Sequence, residues 1–161
     1  MNDPTASLVI PTVALGSAVV GGIFFAFSTF VMKAFARLGP EQGIAAMQEI
    51  NVTVLNPWFF TVFFGTGLGS LYLVVFAVSN WSGATEAYLV VGSLLYMVGT
   101  ILMTIVFNVP LNTALARVDA TSPEGLSLWR HYLRRWTFWN HVRTGAAIAA
   151  ATLLFLAMNF L

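Results

Sequence analysis

Residues 57–78 read PWFFTVFFGTGLGSLYLVVFAV, a run without a single charged side chain. As a helix rising 1.5 Å per residue it reaches roughly 33 Å, just beyond the ~30 Å hydrocarbon layer of a bilayer. Backbone amides in lipid must be satisfied inside the segment or in a closed barrel, and the short alternating segments of barrel strands are not visible. The run therefore predicts a membrane-spanning helix, and the rest of the chain follows the same reading.

Three further apolar stretches accompany it: Ser7 to Phe35, Tyr88 to Val109, and Thr144 to Leu161 extended backwards through Phe138. Together they predict an all-α, integral membrane four-helix bundle, a single transmembrane domain over residues 1–161 with spans near 7–35, 57–78, 88–109 and 138–161. The first stretch exceeds what a span needs, so it should tilt, kink near Pro11 or project from the bilayer. It is too long for a cleavable signal, lacks a basic leader and carries Asp3 ahead of it. Of the 161 residues 58% are hydrophobic and 8% charged, too few charges to cover a water-facing domain. The net charge is +1 with no long basic arm, which argues against nucleic acid. The absence of cysteine excludes disulfides and thiolate metal sites.

All seven basic residues fall on one side of these spans. Lys33 and Arg37 flank the first connection, while Arg117, Arg130, Arg134, Arg135 and Arg143 lie between spans three and four. Short loops rich in Lys and Arg stay cytoplasmic, so both termini are expected outside, the membrane being the cytoplasmic one if the source is a bacterium. Gly65 and Gly69 form a GxxxG, and Gly16, Gly21 and Gly22 lie in span one; packing within the bundle explains them more simply than dimerisation, although a homo-oligomer stays open.

Short cytoplasmic helices are expected before spans two and four. Pro40 and Glu41 suit a first turn, and Ile44, Met47, Asn51 and Leu55 then share a face. Asn56-Pro57 breaks that pattern and starts span two. Ser122 is a plausible N-cap with Pro123 behind it, and no later proline interrupts the chain, so one helix can run from Pro123 into the membrane. On that helix Trp129, Tyr132, Leu133, Trp136, Asn140 and Arg143 occupy about a third of the circumference and should face the bundle, while His141 falls on another flank.

Uncharged polar groups near lipid are costly unless paired, which makes each a functional candidate. They gather at one depth: Asn51 and Asn56 entering span two, Asn108 and Asn112 leaving span three, Trp136, Asn140, His141 and Arg143 entering span four. If the helices bundle, these residues line one mouth. Pro110 lacks an amide hydrogen and crowds the Val106 carbonyl, which should kink the end of span three. Trp129 and Trp139 suit the membrane interface, whereas Trp136 suits the wall of a flat ligand site. Arg143 is expected to pair with Glu49 or with a ligand phenolate or carboxylate. No metal site is expected, because His131 and His141 share one segment and no HxxxH or ExxH spacing occurs. Hydrolytic and phosphoryl-transfer motifs are absent, and no carboxylate lies within a span to support pumping.

The segments AAMQEINVTVLNPWF (45–59), NVPLN (108–112) and WTFWNHVRT (136–144), in this four-span order, resemble the anthrone-oxygenase-like membrane proteins, a family largely catalogued as a domain of unknown function. The resemblance covers nearly the whole chain. It implies membrane lipids as surroundings, a lipophilic anthrone-like aromatic and O2 as partners, and oxidation to a quinone with no cofactor. Carried onto this sequence, it implies functional positions at Asn51, Asn56, Asn108, Asn112, Trp136, Asn140, His141 and Arg143. In such chemistry His141 would be the base, Asn108, Asn112 and Asn140 amide donors, Arg143 the anion holder and Trp136 a stacking wall. The competing expectation is a non-catalytic membrane subunit or lipophile-binding protein whose amides only lock the helix ends.

Overall fold

The structure is a computed structural model and describes residues 4–160, with the Phe160 side chain excluded; Asp3 and Leu161 of the expectations above lie outside the described residues. Five helices follow one another: α1 (Pro4–Arg37), α2 (Pro40–Thr53), α3 (Pro57–Ser79), α4 (Ala84–Ala116) and α5 (Pro123–Ala157). No strand occurs among the described residues.

The helix starts follow local chemistry. Asn56 accepts from the Phe59 amide at 3.0 Å while Pro57 occupies the first turn of α3, so the orphan donors of that turn are met. Ser122 does the same for α5, accepting from Gly125 N at 3.0 Å. At α4 the Glu86 carboxylate accepts from Gly83 N at 2.9 Å, starting the helix one turn before Tyr88. The expected helix before span two is α2. The helix expected to run from Pro123 into the membrane is α5, one continuous helix of 35 residues whose first third is the segment before span four.

α1, α3 and α4 are long and apolar enough to cross a membrane, and only 28% to 39% of their apolar windows is buried within the chain. The remainder faces outward with exposed Leu, Val, Ile and Phe, an arrangement only lipid tolerates on this scale. The four long helices form a ring in the order α1, α3, α4, α5, each packed on two neighbours, with α2 lying across one end. That end carries Lys33, Arg37, Arg117 and the arginines Arg130, Arg134 and Arg135 early in α5. At the other end Ile10, Val13, Leu73, Leu89, Leu154 and Ala157 make a closed core.

α4 carries Tyr96, Thr100, Thr104, Asn108 and Asn112 at uniform spacings of four. Four residues overshoot an α-helical turn by about 40°, so this stripe would drift by about 160°. Wide π turns at Leu95–Leu102 and Thr104–Asn108 take up the excess, and the first four residues keep to the interior or its edge. The same widening precedes Pro110, and α4 continues through it to Ala116. α1 likewise continues through Pro11 and has its own π turn at Phe27–Val31.

Candidate functional site

All five helices contribute to a cavity of about 200 Å³ just inside the arginine-rich end. Its inner surface is aromatic, with Phe24 of α1, Phe63 of α3 and Trp136 of α5 all nearly fully buried. Phe63 stacks on Phe59 at 5.4 Å and meets Phe24 edge-on at 6.5 Å, which suits a planar apolar guest. Four polar side chains also reach this surface: Asn51 of α2, Thr104 and Asn112 of α4, and Arg143 of α5.

Arg143 is 3% exposed. Its Nη1 donates to Thr104 Oγ1 at 3.0 Å and its Nη2 to Asn140 Oδ1 at 2.6 Å. The guanidinium lies 4.0 Å from the centre of the Phe24 ring and 5.2 Å from that of Trp136, so the ring faces partly compensate its lost hydration. No carboxylate accompanies it among the described residues, and Nε has no partner. The expected pairing with Glu49 does not occur; Glu49 is exposed on α2. A buried cation held only by neutral groups keeps an uncompensated charge, and its most stable additional neighbour is an anion.

The guanidinium is fixed from behind. Asn140 Nδ2 donates to the Phe24 carbonyl at 2.7 Å and to Ser28 Oγ at 2.8 Å, and Ser28 shares a hydrogen bond with Thr144 at 3.0 Å. These bonds tie α5 to α1 where α1 widens. They also leave the Asn140 oxygen for Arg143. Asn108 Nδ2 donates to the Trp136 carbonyl at 3.2 Å, and its Oδ1 is buried without a partner.

A second group fixes the indole. The Trp136 Nε1–H, which can only donate, meets Asn112 Oδ1 at 2.8 Å, and the Tyr132 hydroxyl donates to the same oxygen at 2.7 Å. Burial pushes the Tyr132 phenol above its ordinary value, so it stays a protonated donor. Asn51 Nδ2 is buried beside the Tyr132 hydroxyl without a hydrogen bond of good geometry. Arg143 Nε is thus a donor without a partner on the cavity lining, and Asn51 Nδ2 has only the Tyr132 hydroxyl beside it.

Of the residues expected from sequence, Asn51, Asn112, Trp136 and Arg143 line the cavity. Asn108 and Asn140 stand behind its wall with their amide nitrogens bonded to carbonyls. Asn56 is occupied as the α3 cap, its Nδ2 donating to the Thr53 carbonyl at 3.0 Å. His141 lies on the exposed face of α5 and lines no wall, and His131 is exposed as well. Trp129, expected at the interface, is buried against Gly43 in the core under α2, whereas Trp139 stacks on Phe107 at 3.5 Å. Phe24, Ser28, Phe63 and Thr104 went unrecognised in the sequence. The density of Phe in residues 59–64 was the available signal for Phe63; Ser28 and Thr104 look like ordinary hydroxyls within a span. Among the described residues no three His, Asp or Glu side chains come together as a metal site.

A family model described as "Anthrone oxygenase" matches residues 4–153. No curated protein and no solved structure matches the chain.

Proposed function

The chain belongs to the anthrone oxygenase family, and on that premise we propose that it is a membrane oxygenase acting on a lipophilic, anthrone-like aromatic with O2. The single observation that carries this reading is Arg143, a buried cation without a carboxylate in an apolar, aromatic-walled cavity. An aromatic ketone whose ring methylene has lost a proton is a planar oxyanion. Arg143 holds that oxygen, Asn51 donates to it or to a neighbouring hydroxyl, and Trp136, Phe24 and Phe63 bracket the ring. Asn112 fixes the indole, and Asn140 and Asn108 position the wall.

The reaction balances without a further reductant. The methylene loses a proton to water, and the resulting enolate passes one electron to O2. The ring radical and superoxide join as a peroxide at that carbon, which takes up a proton. Loss of water from the hydroperoxide leaves a carbonyl, so CH2 and O2 become C=O and H2O. Neither a carboxylate nor a histidine lines the cavity, so this scheme rests on anion stabilisation and leaves His141 and Asn56 outside the chemistry.

We place residues 138–157 of α5 as a fourth span, supported by the ring of four helices, and both termini outside, supported by the one-sided basic residues. Because the chain has no native cysteine, single cysteines at Ser82 and Thr121 report sidedness directly: the first is expected to label from outside, the second only after the membrane is opened.

Purified protein mixed with an anthrone under air is expected to consume O2 faster than autoxidation, and Arg143→Gln to return the rate to the uncatalysed level. Wild-type protein no faster than autoxidation overturns the reading for that substrate. The hydrogen bonds of Asn108 and Asn140 favour a locking role for those two residues, which predicts lower thermal stability in detergent for either alanine variant.

A further inference from the structure

At the arginine-rich end the cavity is covered by α2. α2 covers it there with Met47, essentially inaccessible, and half-buried Ile50, and Leu55 of the α2–α3 connection, 63% exposed, lies at the edge of this cover. Gly43 is pressed so closely to Trp129 that a Cβ there would come within 2.8 Å of the indole. Gln48 pins the roof by donating to the Leu115 and Val118 carbonyls at 2.8 and 3.0 Å.

The side of the bundle is different. α3 packs closely on Ala84–Leu102 of α4, but from Thr104 onward α4 turns its close contacts to α2 and α5. The two helices therefore diverge beside the cavity. The cavity-lining residues at that divergence are Phe60 and Phe64 of α3 and Ile105 and Val109 of α4, and these are 38%, 47%, 53% and 45% exposed. All four are apolar and lie on the outer face of helices long and apolar enough to cross a membrane.

We infer that the cavity takes its guest sideways from the bilayer, through a portal between the start of α3 and the end of α4. This rests on the cavity being the substrate site. It adds that the substrate must enter uncharged and lipid-soluble and meet Arg143 only after passing the phenylalanine rim, because a ring bearing a permanent charge crosses neither the roof nor the hydrocarbon. O2, being apolar, shares the route.

A route is a kinetic property, since equilibrium affinity is the same whichever way a ligand enters. The test follows association of a dihydroxyanthraquinone, which has no oxidisable methylene, with the protein in phosphatidylcholine vesicles, read by the probe's own emission. Ile105→Trp is expected to slow association and dissociation together by about tenfold with little change in Kd, and Val109→Trp to act the same way. Ala45→Trp, on the exposed face of the α2 roof, is expected to leave both rates unchanged. A sulfonated anthraquinone is expected to associate far more slowly than the neutral probe.

Unchanged rates in both portal variants, or equal association of the sulfonated probe, overturn the portal. Slowing by Ala45→Trp alone moves the entrance to the roof and overturns it as well. If the neutral probe associates through the portal but an anthrone is not oxidised above autoxidation, the oxygenase reading fails while the portal stands.

Discussion

The two halves of this bundle use helix packing in opposite ways. Away from the arginines the helices meet through small residues: a Cβ on Gly69 would collide with Val13, and one on Gly92 would meet Leu154 at 3.1 Å and the Ala150 carbonyl at 3.3 Å. Without a hydrophobic force between helices in lipid, such close contact is what holds them together. Towards the arginines, aromatic side chains surround a cavity and polar bonds tie α1 to α5, with close contact kept where Gly43 of α2 meets Trp129. One half supplies rigidity, and the other retains a cavity and an unpaired cation.

Substitutions that hit one half without the other break or sharpen this contrast. The largest effect is expected from Arg143→Gln: oxygenation falls by on the order of 10²–10³-fold, while the melting temperature in detergent holds or rises, because a buried cation with no counter-charge is itself a burden on the fold. A matched loss of stability and activity would place Arg143 in the scaffold. Gly92→Leu should do the reverse, lowering stability by about 1–3 kcal/mol through overpacking with turnover per folded molecule unchanged, as measured by thermal unfolding alongside O2 uptake.

Asn140→Ala straddles the halves. It removes bonds to Phe24, Ser28 and Arg143, which should cost about 1–3 kcal/mol, and it frees Arg143 to rotate, so kcat is expected to fall more than KM rises. Rescue of stability but not of kcat by Asn140→Ser would separate filling the space from orienting the guanidinium. The smallest effect belongs to Gly65→Ala: nothing lies within 4 Å of the added methyl, so stability should stay within about 0.5 kcal/mol. A larger loss would mean that Gly65 meets a second copy of the chain, returning the GxxxG to a dimer role.

Gly65 and Gly69 also mark how far the sequence could be read. Their spacing is the same motif, yet one abuts Val13 and the other faces outward, and only the rotation of α3 against α1 decides between them. Most of the α5 stripe was legible: Trp129, Tyr132, Trp136, Asn140 and Arg143 are buried, Leu133 is half-buried at its edge, and His141 lies off it as the helical wheel places it. Asn108 and Asn112 looked alike, four residues apart. One is bonded to the Trp136 carbonyl behind the wall and the other lines the cavity, because the π turn ends between them and a single-helix wheel cannot register that change of winding.

The sequence by itself determined the solvent and the local elements: apolar runs too long for anything but lipid, the helix start at Asn56-Pro57, the cap at Ser122, and a polar cluster confined to the ends of the spans. These depend on spacing and composition along one helix at a time. Which amides bond to carbonyls behind the wall and which line the cavity, that Arg143 has rings and neutral oxygens but no carboxylate for company among the described residues, and that the cavity lies under α2 beside the divergence of α3 and α4 were decided by tertiary structure. Each depends on how one helix is turned and set against another, and no single helix carries that information.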